Sequence, residues 1–275
     1  MNLDEAARYI EEIAKSGELI QIPYMGSNVA WRRFGQGRPL VMLHGGHGSW
    51  LHWIRNIQEL SRTHEVWLPD MPGFGDSTDV PVRNMDALIQ SMAAMLEQLF
   101  PTQDIDLIGF SFGGLTAANV AARFPRVRKL ALLGTAGHGG PRRQTVPLAN
   151  WRDSGSIEAL HATMRSNLAI HMLADPAVID GLALTAHIRS CEKTQFRSKP
   201  VSQNWKVADA LSRIQAPVLM LYGEHDVTAD PGLVLPVLVG DSDARVGEIL
   251  PGGGHWVQFE LADAVNARLL RWLDS

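Results

Sequence analysis

The chain has 275 residues, is 45% apolar and 20% charged, and carries a net charge of −4. That composition excludes disorder, collagen and coiled coil, and fits one large domain or a domain with a modest insertion. The acidic balance argues against a nucleic-acid partner, which a basic stripe would recognise.

The elements read off in chain order. Leu3, Ala6, Ala7, Ile10, Ile13 and Ala14 recur at helical spacing, with Gly17 as the stop. Glu18–Tyr24 and Val29–Phe34 flank Gly26-Ser27-Asn28 as a hairpin. Short runs then follow at Pro39–Leu43, His64–Leu68, Ile105–Ile108, Lys129–Leu133 and Val218–Tyr222. Each is apolar on both faces, as strands buried on both sides of a parallel sheet must be. Helical stretches at Leu51–Leu60, Met85–Leu99 and Leu115–Phe124 separate them. This alternation predicts an α/β fold with a doubly wound, mostly parallel sheet.

The alternation stalls between Gly139 and Lys206, where Ile157–Leu173 and Pro176–Cys191 read as helices. The expectation is a helical cap over 139–206, inserted after the sixth core strand, with the core in 1–138 and 207–275. Such an insertion would cover the carboxyl ends of the strands, where open α/β sheets bind ligands. The competing reading is extra helices packed on the back of the sheet.

No run approaches the roughly 18 apolar residues that cross a bilayer. Even Leu233–Val239 is broken by Pro236, and Met1–Lys15 lacks the apolar core of a secretory signal. The single cysteine, Cys191, has no internal disulfide partner and suits a reducing compartment. A cytoplasmic protein with a small-molecule substrate, no nucleic acid and no membrane partner is expected, and a homo-oligomer stays open.

Gly109-Phe110-Ser111-Phe112-Gly113-Gly114 carries the strongest chemical signal. A G-x-S-x-G between a strand and a helix makes a sharp turn that exposes the serine hydroxyl. A helix N-terminus behind it aims N–H groups at developing oxyanion charge. A serine nucleophile needs a base and the base needs an acid, in the chain order serine, acid, histidine on this architecture. Asp226 lies in the loop after Val218–Tyr222, and His255 lies in the glycine-rich loop before the last helix. Glu224 and Asp230 compete for the acid, and His225 and His138 for the base. His44-Gly45-Gly46-His47-Gly48 follows Pro39–Leu43 and places a glycine loop where a second oxyanion donor is needed. Gly46 and Phe112 are the expected N–H donors, with Gly45, His47 and Phe110 beside the substrate. A metal on His44 and His47 is disfavoured because no cysteine or carboxylate cluster accompanies them. Asp70 and Asp76, in Asp70-Met71-Pro72-Gly73-Phe74-Gly75-Asp76-Ser77, read as turn-stabilising residues rather than metal ligands.

With these loops in order from residue 44 to 256, the sequence resembles the α/β-hydrolase superfamily, in particular its lidded serine esterases and its meta-cleavage-product hydrolases. The resemblance implies a cofactor-independent enzyme that hydrolyses a carboxylic ester or similar small carbonyl compound. The alternative within the family is cleavage of a C–C bond in a vinylogous diketone acid from aromatic catabolism. That reading would use Trp256 beside the histidine, and a cap arginine, Arg189 or Arg197, against the substrate carboxylate. Phe110 departs from it, because those enzymes carry an asparagine before the serine. Ser111 itself departs from the dehalogenases and epoxide hydrolases of this fold, which use an aspartate. A ligand receptor that keeps the fold without catalysis is a third reading, and the complete set of loops argues against it.

Overall fold

In the computed structural model, which describes residues 1–77, 79–202 and 204–275, eight strands form one sheet in the order β1-β2-β4-β3-β5-β6-β7-β8. They are β1 Glu18–Tyr24, β2 Ser27–Phe34, β3 Arg38–Leu43, β4 His64–Pro69, β5 Ile105–Phe110, β6 Val127–Leu133, β7 Val218–Gly223 and β8 Arg245–Leu250. The β1–β2 and β2–β4 pairs are antiparallel, and all pairs from β4 to β8 are parallel. Every residue of β5 and β7 is buried, which explains why both are apolar apart from Asp106, whose carboxylate pairs with Arg128 at 2.7 Å. Two apolar cores lie on the sheet, one including Leu107, Leu130 and Met220 and the other Met42, Ile108 and Leu219. Alternate residues of one strand thus feed opposite layers.

The order of the strands decides where a ligand site can form. From β3 the chain crosses to β4 on one side, and the next strand, β5, returns to the other side of β3. The carboxyl ends of β3 and β5 therefore flank the point where the winding reverses, which is where open α/β sheets leave a crevice. The loop 44–49 leaves β3 at this point, and Ser111 follows β5 directly.

The structure departs from the sequence expectation in four places. β8 alternates exposed and half-buried residues and carries Arg245 and Glu248, so it lacks the doubly apolar signature of an inner strand. The segment dismissed as a broken apolar run is a helix, Pro231–Val239, that tolerates Pro236 inside it. The stretch Leu51–Leu60 divides into a 3₁₀ turn, Trp50–Trp53, and a short helix, Ile57–Leu60. The hairpin turns at Met25-Gly26, one residue before the expected Gly26-Ser27-Asn28, because Tyr24 pairs with Ser27 and both turn residues have positive φ.

Between β6 and β7 lie the helices Ile157–His171 and Gly181–Glu192. This segment is tied to the loops at the carboxyl ends of the strands. Ser190 Oγ lies 2.7 Å from Ser49 Oγ, Lys193 pairs with Asp76 at 2.6 Å, and Gln144 N–H donates to Val227 O at 2.8 Å. Among the described residues no helix is long and apolar enough to cross a membrane.

Candidate active site

Ser111 has φ 53° and ψ −115°, a conformation strained for any residue but glycine, between β5 and the helix Phe112–Ala121. The turn is held by Ser111 N–H donating to Leu133 O at 2.9 Å, and by Ser111 O accepting from Gly114, Leu115 and Ala136. Its tightness dictates glycine at 113, where a Cβ would stand 2.3 Å from His44 O. That glycine lets the β3 loop press against the elbow.

The structure brings Ser111, His255 and Asp226 together. Ser111 Oγ lies 2.9 Å from His255 Nε2, and His255 Nδ1 lies 2.9 Å from Asp226 Oδ2. His255 and Asp226 are buried, whereas Ser111 keeps partial access. Asp226 Oδ1 accepts from Thr228 N–H at 2.7 Å and from Thr228 Oγ–H at 2.8 Å. Burial alone would raise the Asp226 carboxyl, but the facing His255 ring and the Thr228 donors outweigh it and hold the group below the usual carboxylate value. An ionised Asp226 fixes the proton of His255 on Nδ1, which leaves the Nε2 lone pair facing the serine. The rivals are occupied elsewhere: Asp230 pairs with Arg143 at 2.6 Å, Glu224 Oε2 accepts from Gly252 N–H, and His138 Nε2 donates to Thr228 O.

Gly134, at the end of β6, has φ +49°, and a Cβ there would stand 3.1 Å from both Asp226 Oδ2 and His255 Nδ1. Gly134→Ala should therefore force apart the acid and the imidazole. We expect turnover to fall about 10- to 100-fold from that displacement, with a stability loss of about 1–2 kcal/mol from the left-handed backbone. Steady-state kinetics beside a melting curve would check both numbers; full turnover would mean that the pair is not functional.

On the other side of the elbow, Gly46 lies against Phe112, with a Cβ built on the glycine 3.7 Å from Phe112 Cβ. Phe112 is the first residue of its helix, and neither its N–H nor that of Gly46 has a hydrogen-bond acceptor among the described residues. The neighbouring polar groups are all engaged. Gly45 N–H donates to His52 Nδ1 at 3.1 Å, His44 Nδ1–H donates to Gly45 O at 2.8 Å, and Met71 N–H donates to His44 Nε2 at 3.0 Å. Both nitrogens of His44 are thus committed to the backbone, and burial pushes its pKa down to about 4. His44 braces the loop as a neutral ring.

The structure places the other expected substrate contacts as follows. Gly45 has both backbone groups engaged within the protein. Phe110 is sealed beneath His255, with ring centroids 5.0 Å apart, and supports that imidazole from below. Trp256 is fully buried, stacks on Phe259 at 4.2 Å and donates its indole N–H to His52 O at 2.9 Å, so it props the histidine loop. Arg189 lines a different cavity of about 370 Å³, together with Arg32, Asp70, Asp76 and Lys193, and none of Ser111, Asp226 or His255 borders it. Arg197 is exposed between Phe196, which packs on Phe112, and Ser198, which approaches Gly46. His47 is the exposed tip of its loop, at φ 53°. Asp70 accepts from Trp50 N–H and Asp76 N–H, the turn-stabilising role expected of it.

Thr228 and His171 join the site, and His187 lies beside Cys191, without having been singled out in the sequence. Thr228 had a signal, a hydroxyl two residues after an aspartate, which is a common local bond. The two histidines had none, because helix face cannot be fixed in a segment of weak periodicity. His171 faces His255 with ring centroids 5.5 Å apart. His187 lies against Cys191, whose Sγ is 3.8 Å from both ring nitrogens. Burial lowers the His187 ring to about 4 and raises the Cys191 thiol to about 12, so neither carries charge near neutrality.

The family described as alpha/beta hydrolase fold matches residues 38–174. The 2-hydroxy-6-oxo-6-phenylhexa-2,4-dienoate hydrolase of Burkholderia cepacia is 31% identical over 264 residues, covering 87% of this chain and 88% of the relative. The pimeloyl-(acyl-carrier protein) methyl ester esterase of Chromobacterium violaceum is 32% identical over 253 residues, covering 86% and 87%. Among solved structures, naproxen esterase from Bacillus subtilis superposes with a TM-score of 0.77 at 20% identity, covering 98% of this chain and 96% of that one. A reversing parallel sheet, a strained serine elbow after its fifth strand and relatives matched over most of their length lead to one conclusion: the chain belongs to the α/β-hydrolase fold family and is a hydrolase.

Proposed function

We propose that this chain is a serine hydrolase of small carboxylic esters. The observation that carries the reading is the continuous chain Ser111 Oγ, His255 Nε2, His255 Nδ1, Asp226 Oδ2, with both links at 2.9 Å. His255 Nε2 takes the hydroxyl proton as Ser111 Oγ attacks the ester carbonyl carbon. The oxyanion that forms is met by the N–H groups of Gly46 and Phe112. The imidazolium, stabilised by ionised Asp226, returns the proton to the departing alcohol. Water then attacks the acyl-enzyme, giving its proton to His255, and the carboxylic acid leaves with Ser111 restored. The segment 139–206 serves as the cap over this centre, and the unpaired, buried Cys191 suits a reducing, cytoplasmic setting.

C–C cleavage of a dienoate is the second reading, favoured by the name of the Burkholderia cepacia relative. Against it stand Phe110 in place of a polar neighbour and Arg189 in a separate cavity already lined by the carboxylates of Glu11, Asp70, Asp76 and Glu192. Labelling by a fluorophosphonate probe, lost on substitution of Ser111, together with hydrolysis of p-nitrophenyl esters, tests the first reading. Turnover of a ring-cleavage dienoate with no ester activity would transfer the assignment to the second. Because Arg189 lines another cavity, Arg189→Ala should change KM for an anionic dienoate less than about twofold, the scale of a solvent-screened charge. A tenfold rise confined to the anion would reinstate the arginine clamp.

A further inference from the structure

His171 ends the helix Ile157–His171, and its ring faces that of His255 at 5.5 Å, tilted by 58°. Its tautomer is set by the chain around it. Arg143 N–H and Gln144 N–H both donate to Val227 O, at 3.0 and 2.8 Å, which anchors this stretch of the 139–206 segment to the loop carrying Asp226. The Gln144 amide then donates through Nε2 to Val146 O at 2.9 Å, so its oxygen faces the histidine. Gln144 Oε1 lies 2.6 Å from His171 Nδ1 and can only accept, which places the ring proton on Nδ1. Burial pushes the pKa of His171 down to about 3, with the nearby His255 and Arg142 adding to the effect, so the ring is neutral across the physiological range.

The other nitrogen is then a lone-pair acceptor. Nε2 has no protein partner among the described residues, and it is absent from their sealed, unpaired polar atoms. It therefore opens onto accessible space beside the imidazole that would accept the serine proton. The sequence offers a second nitrogen base at this position that the reaction does not need, held in one tautomer by the Gln144 amide. A neutral acceptor fixed next to a reacting carbonyl discriminates between ligands that bring a donor to it and ligands that leave it unpaired.

We infer that His171 is a specificity-determining residue, accepting through Nε2 a hydrogen bond from a hydroxyl close to the scissile carbonyl, so that hydroxylated acyl esters are the preferred substrate class. This inference rests on the ester-hydrolase reading and deepens it.

The test compares p-nitrophenyl butyrate with its 2-hydroxy and 3-hydroxy counterparts in wild type, His171→Phe and Gln144→Leu. Phenylalanine keeps an aromatic face and removes the acceptor, while leucine at 144 frees the ring to adopt either tautomer. Wild type should favour one hydroxylated ester in kcat/KM. That preference should fall about tenfold in His171→Phe, mainly through KM, as loss of one hydrogen bond predicts. In Gln144→Leu it should fall about threefold for the same reason at partial occupancy. A merely structural His171 would disturb His255 and lower all three esters together, so equal losses overturn the inference. An unchanged preference overturns it as well. If His171→Phe does not fold, the Gln144→Leu ratio decides alone. Fluorophosphonate labelling of Ser111 in each protein separates the two levels: labelled, ester-hydrolysing protein with an unmoved ratio defeats the role of His171, whereas protein that neither labels nor hydrolyses esters defeats the ester reading itself.

Discussion

Ser111→Ala should lower turnover by about 10⁶, with a residual 10³–10⁴ over the uncatalysed rate supplied by binding and the free N–H groups. The size follows from the unit in which the serine acts: His255 and Asp226 without a nucleophile have no proton to move. Stability should hardly change. Among the described residues the hydroxyl's hydrogen bond is to His255, and the elbow is held by backbone bonds that alanine retains. Alanine also keeps the Cβ that makes φ 53° costly, so the strain is neither relieved nor increased. Ser111→Gly removes that Cβ and should stabilise the fold by about 1–2 kcal/mol while being equally inactive. A paired measurement of kcat and melting temperature on the two variants checks both statements. Retention of more than a tenth of the activity in Ser111→Ala would remove the serine from the role of nucleophile.

The elements that position the site were legible because they repeat simple rules. β5 is apolar apart from Asp106 and runs into a glycine-flanked serine, so strand, turn and helix were marked one directly after another. β7 marks the acid loop in the same way. β8 was not legible, because an edge strand needs only one covered face, and its charged residues broke the pattern. The same limit applied to the segment 139–206. Its helices could be seen, but Arg189 and His187 lie two residues apart on one helix, and two residues turn a side chain through about 200°. The two side chains sit on different faces: His187 turns toward Cys191, which reaches the β3 loop, and Arg189 toward Asp70 and Asp76. The place of Trp256 was hidden for a different reason. A tryptophan beside the site histidine meets substrate only if its ring leaves the core, and here Phe259 and the His52 carbonyl keep it inside.

Asp226→Asn should cost about 10⁴ in turnover, because an amide opposite Nδ1 offers an N–H to a nitrogen that must itself carry the proton. The ring would then favour the tautomer with its proton on Nε2, where it blocks transfer from Ser111. Thr228 sharpens the expectation, since its N–H and hydroxyl hold Oδ1 and leave Oδ2 alone to face the histidine. An asparagine would keep its oxygen on Thr228 and turn its NH₂ to the ring. Glu224→Gln and Asp230→Asn, whose carboxylates serve Gly252 and Arg143 instead, should each change turnover by no more than about threefold, the range of exposed pairs. The pH dependence of stability follows from the same site. The Asp226 carboxyl titrates below its unfolded value of about 3.9. Its contribution is therefore complete above that value and drains away as pH falls through the lower folded one. The melting-temperature gap between wild type and Asp226→Asn should be widest near pH 7 and should close as pH drops below about 4. If Asp226→Asn turns over normally while Glu224→Gln or Asp230→Asn collapses, the acid belongs to that neighbour. A gap that widens on acidification would mean that Asp226 is protonated in the folded protein, and a protonated carboxyl could not stabilise the imidazolium on which acyl transfer depends.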